Sequence, residues 1–122
     1  FLRTRCGECA TDVARDADDL AASITHAADR ERDPLAQQAL DMFVKIYGAQ
    51  AGNLALTVLA TGGVYIAGGI APKIVTHLTN GNFMRAFLAK GRMSPLLGTI
   101  PVHVIVNPAL GLMGTALAAN RL

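Results

Sequence analysis

The stretch Gly62-Gly63-Val64-Tyr65-Ile66-Ala67-Gly68-Gly69-Ile70-Ala71-Pro72-Lys73 decides the fold of this chain. It reads as one short buried strand, Val64 to Ile66, bracketed by two glycine pairs, with Pro72 placed to open a helix. The strand residues are β-branched or aromatic, and the run is too short and too glycine-bounded for a helix. Past the strand, Gly68 and Gly69 remove two side chains where the backbone must turn. A ligand lying there meets main-chain atoms directly, close to the free N–H groups of the following helix. In open α/β sheets, the crevice beyond the carboxyl end of a strand is where ligands bind. A tight strand-to-helix turn without a ligand asks for the same residues, so spacing alone leaves both readings standing. Neither G-x-x-x-x-G-K-[ST] nor G-x-G-x-x-G occurs in the chain. Lys73 falls in the first helical turn, an unfavourable place for a cation, and a long side chain reaching water accounts for it.

Downstream, Pro72 to about Leu78 reads as a short helix stopped by Asn80-Gly81. Asn82 then caps a helix with Phe83, Phe87 and Leu88 on one side and Arg85 and Lys90 on the other, ended by Gly91. Arg92 to Thr99 is loop with a possible turn of helix. Val102 to Val106, after Pro101, reads as a second buried strand, and Asn107-Pro108 leads into a last helix from about Leu110 to Ala119. A right-handed crossover sets the two strands parallel and puts both strand-to-helix turns on one sheet edge, forming one cradle.

Upstream, Asp33-Pro34 starts a long helix, with Asp33 as N-cap and Pro34 at the first helical position. Leu35, Ala39, Met42, Phe43 and Ile46 recur at helical spacing and are expected to be its buried stripe. Gly48 and Gly52 lower helix propensity, which points to close packing against another backbone. Gly111 and Gly114 are expected to permit the same on the last helix. Asn53, if buried, needs a hydrogen-bond partner. A preceding helix is expected from Asp18 or Asp19 to the charged Asp29-Arg30-Glu31-Arg32 cluster.

A chain of 122 residues suits one domain and falls short of two. It is 52% hydrophobic, yet its uncharged stretches are broken by Gly, Asn and Pro, so buried elements of an α/β protein are expected rather than membrane spans. The chain begins at Phe1 with no visible targeting signal, as a processed or partial product would. Cys6 and Cys9 form a lone C-x-x-C with no second Cys/His pair at metal spacing, and read as reduced thiols. All nine acids lie between Glu8 and Asp41, and residues 42 to 122 contain none. The six basic residues of that acid-free part are too sparse, and too poor in aromatic company, for a nucleic-acid surface.

An acid-free region supplies neither a carboxylate base nor a carboxylate ligand for magnesium, which phosphoryl transfer and most hydrolysis require. Ser23 and Ser94 are the only serines, and neither stands in a G-x-S-x-G elbow. By residue chemistry alone, the chain can hold a ligand and has no evident means of transforming it. Residues outside it would have to do the chemistry.

An ordered succession of motifs narrows this further. Gly52-Asn53-Leu54-Ala55-Leu56-Thr57 and the Gly62 to Lys73 stretch are followed by Phe83-Met84-Arg85-Ala86-Phe87, Lys90-Gly91-Arg92-Met93, Ile100-Pro101-Val102 and Asn107-Pro108-x-x-Gly111-Leu112-x-Gly114. With Asp33-Pro34-Leu35-Ala36 and Ala39-Leu40-Asp41-x-Phe43, the series resembles the C-terminal part of bacterial glucokinases over about residues 18 to 119. The resemblance implies an α/β fold of the ribonuclease H-like, actin-like ATPase class, with parallel strands and packed helices. Residues 1–122 would then be the nucleotide-side portion of a larger domain. It implies an ATP-dependent kinase that phosphorylates the 6-hydroxyl of glucose with Mg2+, commonly a cytoplasmic homodimer, with no nucleic-acid or membrane partner. The residues it assigns to adenosine binding are Gly68, Gly69, Ile70 and Ala71. The family's aspartate base, first phosphate loop and glucose ligands lie upstream and match nothing here, so no catalytic or metal residue is assigned to this chain. Residues 1 to 17 depart from the pattern. Two alternatives remain: a related sugar-kinase segment, including one fused to a transcription regulator, and a non-catalytic packing or oligomerisation module.

Overall fold

A computed structural model describes Thr25, Ala28 and residues 34–121. The expectations for Cys6, Cys9, the helix over residues 18 to 32 and the Asp33 cap lie outside the described residues. Helix α1 spans Pro34–Thr57, strand β1 Val64–Ile66, α2 Val75–Thr79, α3 Asn82–Leu88, α4 Ser94–Gly98, β2 Val102–Val104 and α5 Leu110–Ala119. A single 3-10 turn, Gly91–Met93, leads into α4. Strand β1 and the last helix stand where the sequence reading puts them; β2 ends at Val104, two residues short of the expected Val106, and of the six strand residues only Ile66 is buried, so the expectation of two buried strands is not met. The strands pair in parallel, with Val64 opposite Val102 and Ile66 opposite Val104. The chain between them, carrying α2, α3 and α4, makes the crossover that parallel pairing requires.

The face α1 buries differs from the expected one. Met42, Phe43 and Ile46 are 39%, 42% and 62% exposed, whereas Ala36, Leu40, Val44, Gly48, Ala51, Gly52 and Ala55 are buried. The two glycines explain the rotation. A methyl group on Gly48 would overlap the Phe83 carbonyl oxygen, and one on Gly52 would lie 2.5 Å from that of Phe87. With bare Cα atoms at both places, α1 lies against the backbone of α3, and the larger apolar residues on its other faces are left outside. The expectation of close packing at Gly48 and Gly52 holds, and it overrides the reading of the larger apolar stripe.

Phe83 and Phe87 form the centre of the core, at 2% and 0% exposed. They stack with ring centroids 6.3 Å apart, and Tyr47 of α1 meets Phe83 edge-on at 5.8 Å. Aromatic pairs of this kind add about 0.5–1.5 kcal/mol beyond the area they bury. Leu97 of α4, Ile74, Leu78 and Ile100 close the cluster, and Ile66 ties the sheet to it.

Several local details differ from the sequence reading. Pro72 stands in a turn, and the regular helix starts three residues later at Val75. Asn82 is the first helical residue of α3 and not its cap. The preceding Gly81 takes the left-handed conformation (φ 92°), while the Asn82 N–H donates to the Asn80 side chain at 2.9 Å. The Asn82 amide instead donates to Asp41 Oδ1 at 3.3 Å, tying α3 to α1. Helix α3 stops at Leu88, and Gly91 (φ +55°) opens the 3-10 turn. The Ser94 hydroxyl donates to the Leu88 carbonyl at 2.5 Å and fastens this corner. Asn53 is exposed, and its carbonyl accepts the Thr57 hydroxyl at 2.9 Å. On α5 every residue is exposed, and among the described residues no atom lies within 4 Å of a Cβ built at Gly111 or Gly114, so these glycines make no close approach here.

Candidate nucleotide-binding edge

The parallel register brings the carboxyl ends of β1 and β2 to one edge. Ile66 and Val104 are partners, and the Ile105 N–H donates to the Ile66 carbonyl at 2.8 Å, so both chains leave the sheet side by side. From β1 the backbone passes through Ala67 into Gly68, whose φ of +119° is a conformation that side-chain-bearing residues rarely adopt. Gly69 follows, then Ile70, whose carbonyl accepts the N–H groups of Lys73 at 3.0 Å and Ile74 at 3.2 Å and so closes the turn.

Gly68 and Gly69 are exposed, and a Cβ at either would meet nothing within 4 Å. The glycines therefore do not accommodate a neighbouring part of the described structure. Gly68 is required by its backbone angle; at Gly69 neither angle nor packing asks for glycine. Among the described residues no backbone carbonyl accepts the N–H of Gly68, Gly69 or Ile70. The edge thus offers a bare main chain with donors that a bound group can take. Ile70 is 53% exposed and adds an apolar surface beside it. Ala71 is different: at 1% exposed the whole residue, main chain included, lies in the core and presents no surface at this edge.

The second turn leaves β2 at the same edge. Asn107 Oδ1 accepts the Ala109 N–H at 2.9 Å, which shapes the bend before α5. Lys73 stands in the turn before α2 rather than in the first helical turn expected of it, and it is exposed, in keeping with a side chain reaching water.

Asp41 is the one carboxylate among the described residues, and it is engaged with Asn82 between α1 and α3. No group of three His, Cys, Asp or Glu comes together among the described residues, so these residues do not by themselves fit a magnesium site. Among the described residues no helix is long and apolar enough to cross a membrane.

Two arrangements were not found from the sequence. Tyr65 and His103, opposite each other in the ladder, stack on the outer sheet face with centroids 5.1 Å apart and planes 20° from parallel. Knowledge of the register would have paired them, since alternation already points both away from the core. The other is a groove between α1 and α3 lined by Lys45, Arg85 and Lys90. Their separation in sequence hid it.

Comparison with known proteins bears on the family and the fold. Residues 6–122 match the Glucokinase family model. The chain is 55% identical over 104 residues to the glucokinase of Trichormus variabilis and 54% over 103 residues to that of Synechocystis sp.. These alignments cover 85% and 84% of this chain, which spans only 30% and 29% of those relatives' length. The crystal structure of a glucokinase from an Antarctic psychrotroph superposes with a TM-score of 0.75 at 33% identity, covering 87% of this chain and 33% of that one. With an α/β fold shared with a solved glucokinase, and a family match that runs over nearly its whole length, the chain belongs to the glucokinase family.

Proposed function

We propose that this chain is the nucleotide-side part of a longer ATP-dependent glucokinase of the ribonuclease H-like, actin-like class, and that its Gly68-Gly69 edge receives the adenosine of ATP. The whole enzyme transfers the terminal phosphoryl group of ATP to the 6-hydroxyl of glucose, as a cytoplasmic homodimer. The observation that carries this reading is the exposed main chain at Gly68 and Gly69, with open space where side chains would be, at the carboxyl end of β1.

The part these residues play is positional. The N–H groups of Gly68, Gly69 and Ile70 give a flat, donor-bearing shelf for a nucleoside, and Ile70 gives an apolar surface beside it. The β2 turn bounds the same edge. Holding one end of ATP fixes the direction in which its phosphates extend and lowers the entropic part of the barrier to transfer. The proton acceptor for the glucose hydroxyl, and the carboxylates for Mg2+, belong to sequence outside residues 42 to 122, which contain no acid. Magnesium supplies charge neutralisation between the phosphates when bound, and no residue of this segment is assigned to it.

Gly69→Val in the full-length enzyme tests this. Nothing within 4 Å meets a new Cβ and φ is not in the left-handed region, so the fold should be unaffected. If adenosine lies on the shelf, KM for ATP should rise about tenfold or more, from an overpacking cost of about 1–3 kcal/mol at the ligand. KM for glucose should stay within about twofold. An unchanged KM for ATP at an unchanged melting temperature would remove the assignment.

A further inference from the structure

Independently of the nucleotide edge, we propose that Asn80-Gly81, the joint between α2 and α3, is a site of spontaneous chemical modification, at which the Asn80 amide converts to aspartate and isoaspartate with water as the only co-reactant. Asparagine is among the chemically labile residues, and the residue after it sets how labile it is. Of the chain's asparagines, Asn80 alone precedes glycine. Asn53 and Asn82 stand within α1 and α3 and precede the bulky Leu54 and Phe83. Asn107 precedes Pro108, whose nitrogen carries no proton, and Asn120 precedes Arg121.

Three features of the joint carry the reaction. First, Asn80 is exposed, and Gly81 has no side chain to shield its nitrogen. Second, the joint can open. Asn80 stands at ψ 0° and Gly81 at φ 92°, and attack on the Asn80 side chain requires rotation about that ψ. A glycine between two short helices gives the chain freedom for it. Third, Asn80 Oδ1 accepts the Asn82 N–H at 2.9 Å. That bond folds the side chain back over the Gly81 peptide and draws electron density from Cγ, and it offers a donor to the oxyanion that develops there. The Gly81 nitrogen attacks Asn80 Cγ: the N–Cγ bond forms, the Cγ–Nδ2 bond breaks, and ammonia leaves with the Gly81 amide proton. Water opens the resulting five-membered imide at either carbonyl, with no change of oxidation state. Opening at Cγ restores the main chain with aspartate; opening at the main-chain carbonyl leaves isoaspartate, with one methylene more in the main chain. Aspartate keeps an acceptor for the Asn82 N–H at the start of α3, where negative charge is favourable. The isoaspartate methylene instead displaces Asn82, whose amide donates to Asp41 Oδ1 at 3.3 Å, and with it Phe83, whose carbonyl oxygen lies against Gly48.

The test incubates the native full-length protein in oxygen-18 water at neutral pH and follows each asparagine by peptide mass spectrometry over time. Asn80 should convert at least tenfold faster than Asn53, Asn82, Asn107 or Asn120. Both aspartate and isoaspartate should appear at position 80, each carrying one oxygen from the labelled water, and Asn80→Gln should abolish the gain of acid at this joint. The isoaspartate form, separated by its added negative charge, should melt several degrees below the parent, whereas Asn80→Asp should stay within a few degrees of it. Any one of three results overturns the proposal: Asn80 converting no faster than the other asparagines, aspartate forming without isoaspartate as direct hydrolysis of the amide would give, or an isoaspartate form that melts with the parent. The time course on the unmutated protein decides the first two, so neither depends on a variant that folds.

Discussion

Replacing Gly52 by alanine puts the packing of α1 against α3 to the test. In an ordinary helix interior this change stabilises, because alanine is favoured over glycine by about 1 kcal/mol. Here the new methyl would lie 2.5 Å from the Phe87 carbonyl oxygen, 3.0 Å from Lys90 Cε and 3.3 Å from the Phe87 carbonyl carbon. Carbon and carbonyl oxygen approach to roughly 3.3 Å at closest. The helices must therefore part by about 0.8 Å, and Lys90 can swing aside while backbone cannot. A gap of that size forfeits a quarter to a half of each dispersion contact along the seam. The seam holds Val44, Phe83 and Phe87, so the cost belongs near the upper end of the roughly 1–3 kcal/mol seen for overpacking. Subtracting the helix-propensity gain leaves a net loss of about 2 kcal/mol. In a domain of 150–250 residues that lowers the melting temperature by roughly 4–8 °C. Thermal and urea unfolding of the full-length protein would measure it. A Gly52→Ala protein as stable as the parent would refute the close approach, and with it the reason given for which face α1 buries.

Four further outcomes are expected. Phe87→Ala, at the centre of the core and 0% exposed, should cost about 3–5 kcal/mol in urea unfolding. Gly68→Ala should destabilise by about 1–3 kcal/mol whether or not ATP is present, since its φ of +119° strains any side-chain-bearing residue, whereas Gly69→Val should leave the melting temperature unchanged. Ser94→Ala removes the hydroxyl that donates to the Leu88 carbonyl and should cost about 1–3 kcal/mol, with faster amide exchange confined to the Ala89 to Met93 corner. The 122-residue chain by itself should phosphorylate no glucose in a coupled assay, and measurable turnover would show that carboxylate chemistry has been misassigned to other sequence.

The sequence by itself determined the elements whose residues act locally. Val64 to Ile66 and Val102 to Val106 are short β-branched-rich runs bounded by glycine and proline, which suit strands, although the second strand ends at Val104. Pro34, Asn107 and Pro108 punctuate the chain by fixed backbone properties that need no distant partner. The absence of acids from residues 42 to 122 was likewise legible. The order of motifs was specific enough to reach the family. Only the tertiary structure decided which face α1 buries, that Ala71 faces inward while Gly68 and Gly69 stay bare, and that Lys45, Arg85 and Lys90 share one groove. Helical periodicity ranks faces by the size of their apolar residues. Two glycines opposite a carbonyl row select instead the face that permits the closest approach, and that face is the one packed on α3.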